Sequence, residues 1–374
     1  MSPTSIASMM AALVHLTSLH KRGQDVRRLM QPSIRAKLFP VLICLFAIAS
    51  LAQTPQHSPP YPRIDNAAGY KADPNWPSEK PPGGEWTAAM SSVALGPDGN
   101  IWTFNRGKVP VQVYTPQGKL VKFWGEGMFK NPHSIRFDDA GRLWVIDTLS
   151  HTVRNFSLDG KVLMTLGTLD QAGEDQTHMN QPNDVAFASN GDLYVSDGYG
   201  NDRVVVFDRN GKFVRTWGKL GSGQGELSQP HSIAIDSRGR VYVADRNNSR
   251  IQIFDPKGKF LTEWKNIITP WHLVITKNDD IYVCGSSPML WSQIPATQTA
   301  LATPPKDQVV MKLDTEGHIK QLLVIPMGES GKEKPGDLNW VHSMAIAADG
   351  TFYFGDVQGK RAQKFVPIGA KETR

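Results

Sequence analysis

Three histidines occupy one position of a repeated phrase, in alternate copies of it. The phrases read Asn131-Pro-His-Ser-Ile, Gln181-Pro-Asn-Asp-Val, Gln229-Pro-His-Ser-Ile and Trp340-Val-His-Ser-Met. Two weaker copies contain Met90-Ser-Ser-Val and Pro270-Trp-His-Leu. Aligned by the aromatic of the strand that follows, Ser91, His133, Asn183, His231, Trp271 and His342 share one register, each ten positions before that strand. Imidazoles from three sides of a ring would converge on its axis and leave a fourth coordination position open. That is the arrangement of a catalytic zinc rather than a closed structural one. The alternative is that the phrase only begins a strand and that histidine there is incidental. Against it, the remaining copies carry Ser, Asn and Trp, so the repeat does not demand histidine.

The elements that would position these residues form a six-unit array. Successive register positions lie 42, 50, 48, 40 and 71 residues apart, the last interval lengthened by an insertion at 286–306. Self-similarity at this period, with several short strands per unit, predicts an all-β, six-bladed β-propeller. Blades two, four and six are then about 120° apart by radial repetition. The fourth copy reads as strands 232–236, 240–244, 251–255 and 260–264, rich in Val, Ile, Tyr and Phe. The register position is expected just before the innermost strand, at the channel mouth. Pairs such as Asp98-Gly99, Asp159-Gly160 and Asp349-Gly350 mark hairpin turns where positive φ costs little. The last copy has only three strands (343–347, 351–354 and 363–366) before a charged tail. Because an unpaired edge is a liability, an N-terminal segment at about 63–71 is expected to close the ring.

Composition limits the remaining choices. The 374 residues include 26 Pro and 33 Gly, and one propeller over 81–367 accounts for nearly all of them beyond a leader. Residues 53–80 read as a linker and closing strand, and 368–374 as a tail. The net charge of +6 comes mostly from residues 1–52, which hold six basic side chains and one acidic. No basic cluster with interleaved aromatics occurs, so nucleic acid is excluded as a partner. Arg35 and Lys37 precede the apolar run Leu38–Ala49, and Ser50-Leu-Ala ends it, so 1–52 reads as an N-terminal extension with a secretory signal peptide. The run is too short to span a membrane. A secreted or periplasmic monomer acting on a small molecule or peptide is expected. Cys44 lies in the leader, which leaves Cys284 alone without a disulfide partner. His151, His178, His272 and His318 are off-register and read as surface or core residues.

The units match the NHL repeat in Gly223-Gln-Gly-Glu-Leu, Pro230-His-Ser, Tyr242-Val-Ala-Asp and Asn248-Ser-Arg-Ile-Gln-Ile-Phe. Over roughly 90–366 the chain further resembles the peptidyl-α-hydroxyglycine α-amidating lyases. Phe104-Asn-Arg-Gly, Pro132-His-Ser-Ile, Asp175-Gln-Thr-His-Met-Asn-Gln-Pro-Asn-Asp, Ser196-Asp-Gly-Tyr-Gly-Asn-Asp-Arg and Ala244-Asp-Arg-Asn-Asn-Ser-Arg carry this resemblance. It implies that His133, His231 and His342 bind zinc. It also implies that Tyr199 and Arg106 act on the substrate hydroxyl and carboxylate, with Arg246 beside them. The register agrees: Arg106 and Arg246 follow their repeat positions by fifteen residues and Tyr199 by sixteen. Each has a plainer reading, Arg246 as an inter-blade ion pair and Tyr199 as a turn cap. The implied reaction breaks the C–N bond of a peptidyl-α-hydroxyglycine or related hydroxy-amide, giving an amide and glyoxylate. A tyrosine among positive charges suits the proton transfer, and an arginine fork suits the carboxylate.

The chain departs from the family at Gly200, where the family has cysteine, and at Trp340-Val-His342-Ser343, where it has Met-Pro-His-Asp. The family's Asp serves a structural calcium, so a Ca²⁺ requirement is put in doubt. Two other functions stay open: a non-catalytic propeller binding a protein or glycan, and a metal-dependent hydrolase such as a lactonase. A lactonase would place carboxylate and Asn ligands at the mouth, where Asn183 and Asp184 are the candidates.

Overall fold

The computed structural model describes residues 69–287, 307–329 and 331–368. The leader, residues 53–68, most of the insertion and most of the tail lie outside them. Six four-stranded antiparallel sheets follow one another round a ring. Blade 2, for example, runs Pro132–Phe137, Leu143–Asp147, Thr152–Phe156 and Val162–Leu166 from the axis outward. Each blade's innermost strand touches that of the next, and the sixth returns to the first. Among the described residues the only helical pieces are two short 3₁₀ turns, and no helix is long and apolar enough to cross a membrane.

The burial pattern follows from this packing. Second strands such as Leu143–Asp147, Leu193–Asp197 and Phe352–Asp356 are buried at every residue because a neighbouring blade covers each face. They are accordingly continuous apolar runs. The outer strands Leu120–Trp124 and Phe213–Trp217 alternate half-buried and exposed residues, since only one face is covered. One apolar cluster fills each of the six interfaces. Between blades 1 and 2, Trp102, Phe104 and Val113 meet Ile135, Val145 and Phe156.

The N-terminal strand Tyr70–Ala72 pairs antiparallel with Arg361–Pro367, with Tyr70 opposite Pro367, and supplies the fourth strand of blade 6. The expected closing segment is thus seen at its C-terminal end, and 63–68 falls outside the described residues. Of the stretch 53–80, read as linker and closing strand, residues 69–80 are described. Trp76 is buried in the last interface, edge-on to Tyr114 and Tyr353 at 5.9 and 5.1 Å, so this stretch belongs to the core that joins blade 6 to blade 1. The turn chemistry also differs in detail. At Asp98-Gly99 only the glycine has positive φ (77°), its N–H donates to Gly96 O, and Gly96 N–H donates to Asn100 O. That is a type I turn followed by a glycine bulge, a three-residue hairpin loop.

Buried aspartates fix where the innermost strands begin. Asp147, Asp197, Asp245 and Asp356 each end a second strand. Each accepts the backbone N–H of a residue just ahead of an innermost strand: Asn131 (2.7 Å), Asn180 (2.8 Å), Ser228 (2.7 Å) and Asn339 (3.0 Å). Arginines on the third strands neutralise them, at 2.9 Å for Arg203–Asp197 and 2.6 Å for Arg250–Asp245.

Candidate metal centre

In all six blades the register residue is a β-bulge. In blade 2, Pro132 opposes Asp147 and Ser134 opposes Ile146, which leaves His133 without a partner in the ladder. Ser91, Asn183, His231, Trp271 and His342 are skipped in the same way. A bulge breaks the pleat and re-aims its side chain. The expectation that this position precedes the innermost strand is corrected: it lies within it, one or two residues from its start.

The structure brings His133, His231 and His342 together on the axis. Their ring centroids are 4.8–5.0 Å apart, and one nitrogen of each lies within 4.8 Å of the others. The orientation comes from the alternate blades. His133 Nδ1 lies 2.7 Å from Asn183 O, His231 Nδ1 2.6 Å from Trp271 O, and His342 Nδ1 2.7 Å from Ser91 O. A carbonyl only accepts, so each Nδ1 carries the proton and each Nε2 presents its lone pair to the axis. A second hydrogen bond that fixes the tautomer is typical of metal-binding histidine. Burial first of all holds the His133 and His231 imidazoles well below the ordinary histidine range; His342 and Arg106 add to it at His133, and Arg246 and the neighbouring imidazoles at His231. His342, buried near Arg106, is lowered to about 3. All three are therefore neutral ligands at neutral pH.

The Tyr199 hydroxyl lies 3.1 Å from His133 Nε2 and 2.9 Å from His231 Nε2. One O–H serves one of these acceptors, and the second is left facing an oxygen. A cation between them relieves that clash, and three neutral imidazoles suit zinc, copper, iron or nickel. Tyr199 reaches this point from a tight turn. Gly198 N–H donates to Asn183 Oδ1 (3.0 Å), and Tyr199 N–H donates to Gln181 O (3.2 Å). A Cβ at Gly198 would stand 2.1 Å from Pro230 O, so no larger residue fits before the tyrosine.

Arg246, 4% exposed, opens the 3₁₀ turn Arg246–Asn248, with its guanidinium 5.5 Å from the Tyr199 ring centre. Its Nη2 donates to Gln229 Oε1. Arg106 sits exposed at the rim and donates Nε to Pro132 O at 3.2 Å. Among the described residues, the one acidic group acting on either arginine is the Tyr199 phenol. The plainer reading of Arg246 as an inter-blade ion pair is therefore not what is seen. A buried guanidinium without a carboxylate is costly unless a ligand supplies one.

A second ring lies one residue further on, formed by Ser92, Ser134, Asp184, Ser232, His272 and Ser343. Most accept a backbone N–H from the next blade: Ser92 from Ile135 (3.2 Å), Ser232 from Leu273 (3.0 Å), His272 Nδ1 from Met344 (3.4 Å) and Ser343 from Val93 (3.0 Å). Asp184 is tied by Ser134 (2.9 Å), Ser232 (2.6 Å) and the Arg136 guanidinium, which also donates to Leu273 O (3.0 Å). This ring escaped the sequence reading, although its signal was there: serine follows the register position in four of the six copies. His272 is the counterpart of those serines. Asn183 and Asp184 do not serve as the lactonase reading requires, because the Asn183 side-chain oxygen holds Gly198 and Asp184 is saturated with donors.

Fold and site together define a six-bladed β-propeller with a tris-imidazole centre at one end of its channel. A family described as a 6-bladed beta-propeller matches residues 172–269. The chain is 28% identical over 342 residues to peptidyl-glycine alpha-amidating monooxygenase B of Xenopus laevis, covering 80% of this chain and 36% of that one. It is 33% identical over 180 residues to the probable peptidyl-alpha-hydroxyglycine alpha-amidating lyase pgal-1 of Caenorhabditis elegans, covering 43% and 51%. It thus spans about a third and about half of these curated relatives. Among solved structures, a gluconolactonase of Xanthomonas campestris shares the fold at 12% identity and TM-score 0.51, over 75% of this chain and 87% of that one. At that identity the likeness is one of fold alone.

Proposed function

We propose that this chain is an exported, zinc-dependent lyase that cleaves the C–N bond of a peptidyl-α-hydroxyglycine or a related hydroxy-amide, with 1–52 as its leader. The observation that carries the reading is the Tyr199 hydroxyl, set between two imidazole Nε2 atoms beside an arginine that has no carboxylate partner among the described residues. The similarity to amidating lyases supports it.

Zinc held by His133, His231 and His342 supplies a Lewis acid that eases ionisation of the substrate hydroxyl. Arg106 and Arg246 bind the carboxylate beside the reacting carbon, and the fork geometry of guanidinium fixes its direction. Tyr199, acting as the phenolate after giving up its own proton to solvent, accepts the hydroxyl proton. The O–H electron pair forms the new C=O, the C–N bond breaks, and its electron pair stays on nitrogen. Tyr199 then returns the proton to that nitrogen, so the products are an amide and glyoxylate. The buried imidazoles and the closed second ring exclude bulk water from the reacting side.

The test is glyoxylate release from α-hydroxyglycine peptides, run with a metal analysis of the same preparation. Release that tracks zinc content is expected. Protein fully loaded with zinc yet inactive on several such peptides would overturn the lyase reading.

A further inference from the structure

We propose that Trp271 and Trp340 form an aromatic wall that selects substrates whose acyl group, next to the scissile amide, is flat and apolar. The proposal deepens the lyase reading above and rests on it.

Trp271 is the bulge residue of blade 5 and sits between His231 and His342 round the ring, its carbonyl holding His231 Nδ1. Trp340 precedes His342 by two residues. The two indoles lie 4.5 Å apart at a tilt of 53°. Trp271 is 4% exposed and Trp340 is half-buried, so a buried indole backs a more exposed one. Trp340 holds φ at 135°, a region that side chains rarely adopt, and its carbonyl is pinned by Val357 N–H at 3.1 Å. Strain of this kind persists where the surroundings over-determine it and clusters at ligand sites.

Arg106 and Arg246 come from blades 1 and 4, which face each other across the axis; the indoles of blades 5 and 6 lie on one arc between them and Tyr199 of blade 3 on the other. A hydroxyglycine unit carries a carboxylate, a hydroxyl and an acyl amide on one carbon. With the carboxylate drawn to the arginines and the hydroxyl to Tyr199, the arc left for the acyl group is the one the indoles line. Indole faces also attract cations, but two arginines nearby oppose a cationic group. Both indole N–H groups are buried without an acceptor among the described residues, so it is the ring faces and edges that are offered to a ligand.

The experiment uses zinc-loaded protein with N-benzoylglycine and N-acetylglycine, which lack the hydroxyl and cannot react. Calorimetry on the wild type should show the benzoyl compound binding about 10–100-fold more tightly, the gain from burying one phenyl-sized group. Trp340→Ala should bring the two within about 3-fold while leaving the acetyl affinity unchanged, and Trp340→Phe should keep most of the preference. Melting curves check that the variants fold, and Trp340→Phe against the wild type still tests the wall should Trp340→Ala fail to fold. Equal binding by the wild type, binding of neither compound, or a preference that survives in folded Trp340→Ala overturns the wall. Turnover of the α-hydroxy forms separates the two claims. A preference without turnover leaves the wall standing and removes the lyase reading, whereas turnover without a preference does the reverse.

Discussion

Blades 2, 4 and 6 put His133, His231 and His342 on the axis, whereas blades 1, 3 and 5 put Ser91, Asn183 and Trp271 at the same bulge. The backbone device is common to all six. The even blades use its side chain and the odd blades use its carbonyl, since each imidazole donates Nδ1–H to the bulge carbonyl of the next blade round. Each axial imidazole and the group that orients it thus come from neighbouring blades, and His342–Ser91 makes the bond across the closure of the ring. The ring must be closed for the last imidazole to be aimed. Alternation therefore costs the protein nothing in fold, because any residue can offer a carbonyl, and it leaves three odd positions free for other tasks.

The sharpest break of this scheme is on an even blade. His231→Ala should abolish metal binding and lower turnover by at least about a thousandfold, because two imidazoles hold zinc poorly. Metal content by atomic spectroscopy decides it, and near-stoichiometric zinc in the variant would refute a three-histidine site. Tyr199→Phe should keep the metal and lose about 10²–10⁴ in rate, as general-base removal does. A variant rate close to wild type would reduce Tyr199 to packing.

The odd blades should respond more weakly and unequally. Asn183→Ala keeps the carbonyl for His133 but removes the acceptor for Gly198 N–H, so the Tyr199 turn loosens. Turnover is expected to fall about 10–100-fold with metal retained, the range for outer partners of a metal site. Ser91→Ala removes a buried hydroxyl that has no partner among the described residues and leaves its carbonyl in place. It should change stability by less than about 0.5 kcal/mol. Equal damage from both variants would mean that the odd side chains act in some other way.

An effect on stability rather than turnover lies in the aspartate corners. Burial raises Asp356 to about 6, and its arginine, Arg361, is 4.0 Å away. The unfolded value is near 3.9, so between about pH 4 and 6 the folded chain binds the extra proton. This contribution is present below about pH 4 and is lost as the pH rises through about 6. Asp356→Asn should remove a pH dependence on the order of 1–2 kcal/mol. Denaturation of both proteins at pH 4.5 and 7 measures it, and identical pH slopes would show that Asp356 does not titrate there.

Much of this was legible in the residues. The period gave six blades, the phrase gave the three histidines, and the fifteen- and sixteen-residue offsets put Arg106, Arg246 and Tyr199 at the same end of the ring. The serine ring was legible too, because Ser92, Ser134, Ser232 and Ser343 repeat, but its partners are backbone amides, which have no signature in sequence. Trp76 was hidden by the prolines around it, which mark a linker by composition while the indole fills an interface.

The amino-acid sequence by itself determined the number of blades, the alternation of ligand types and which side chains share one end, because these follow from period and register. Only the tertiary structure decided that the register residue is a bulge, that the next blade's carbonyl turns each imidazole inward, and that Tyr199 stands between two of them. Periodicity records which positions are equivalent. The aim of a side chain depends on a ladder slipping by one residue and on a neighbour forty positions or more away in the chain, which exist only once the ring has closed.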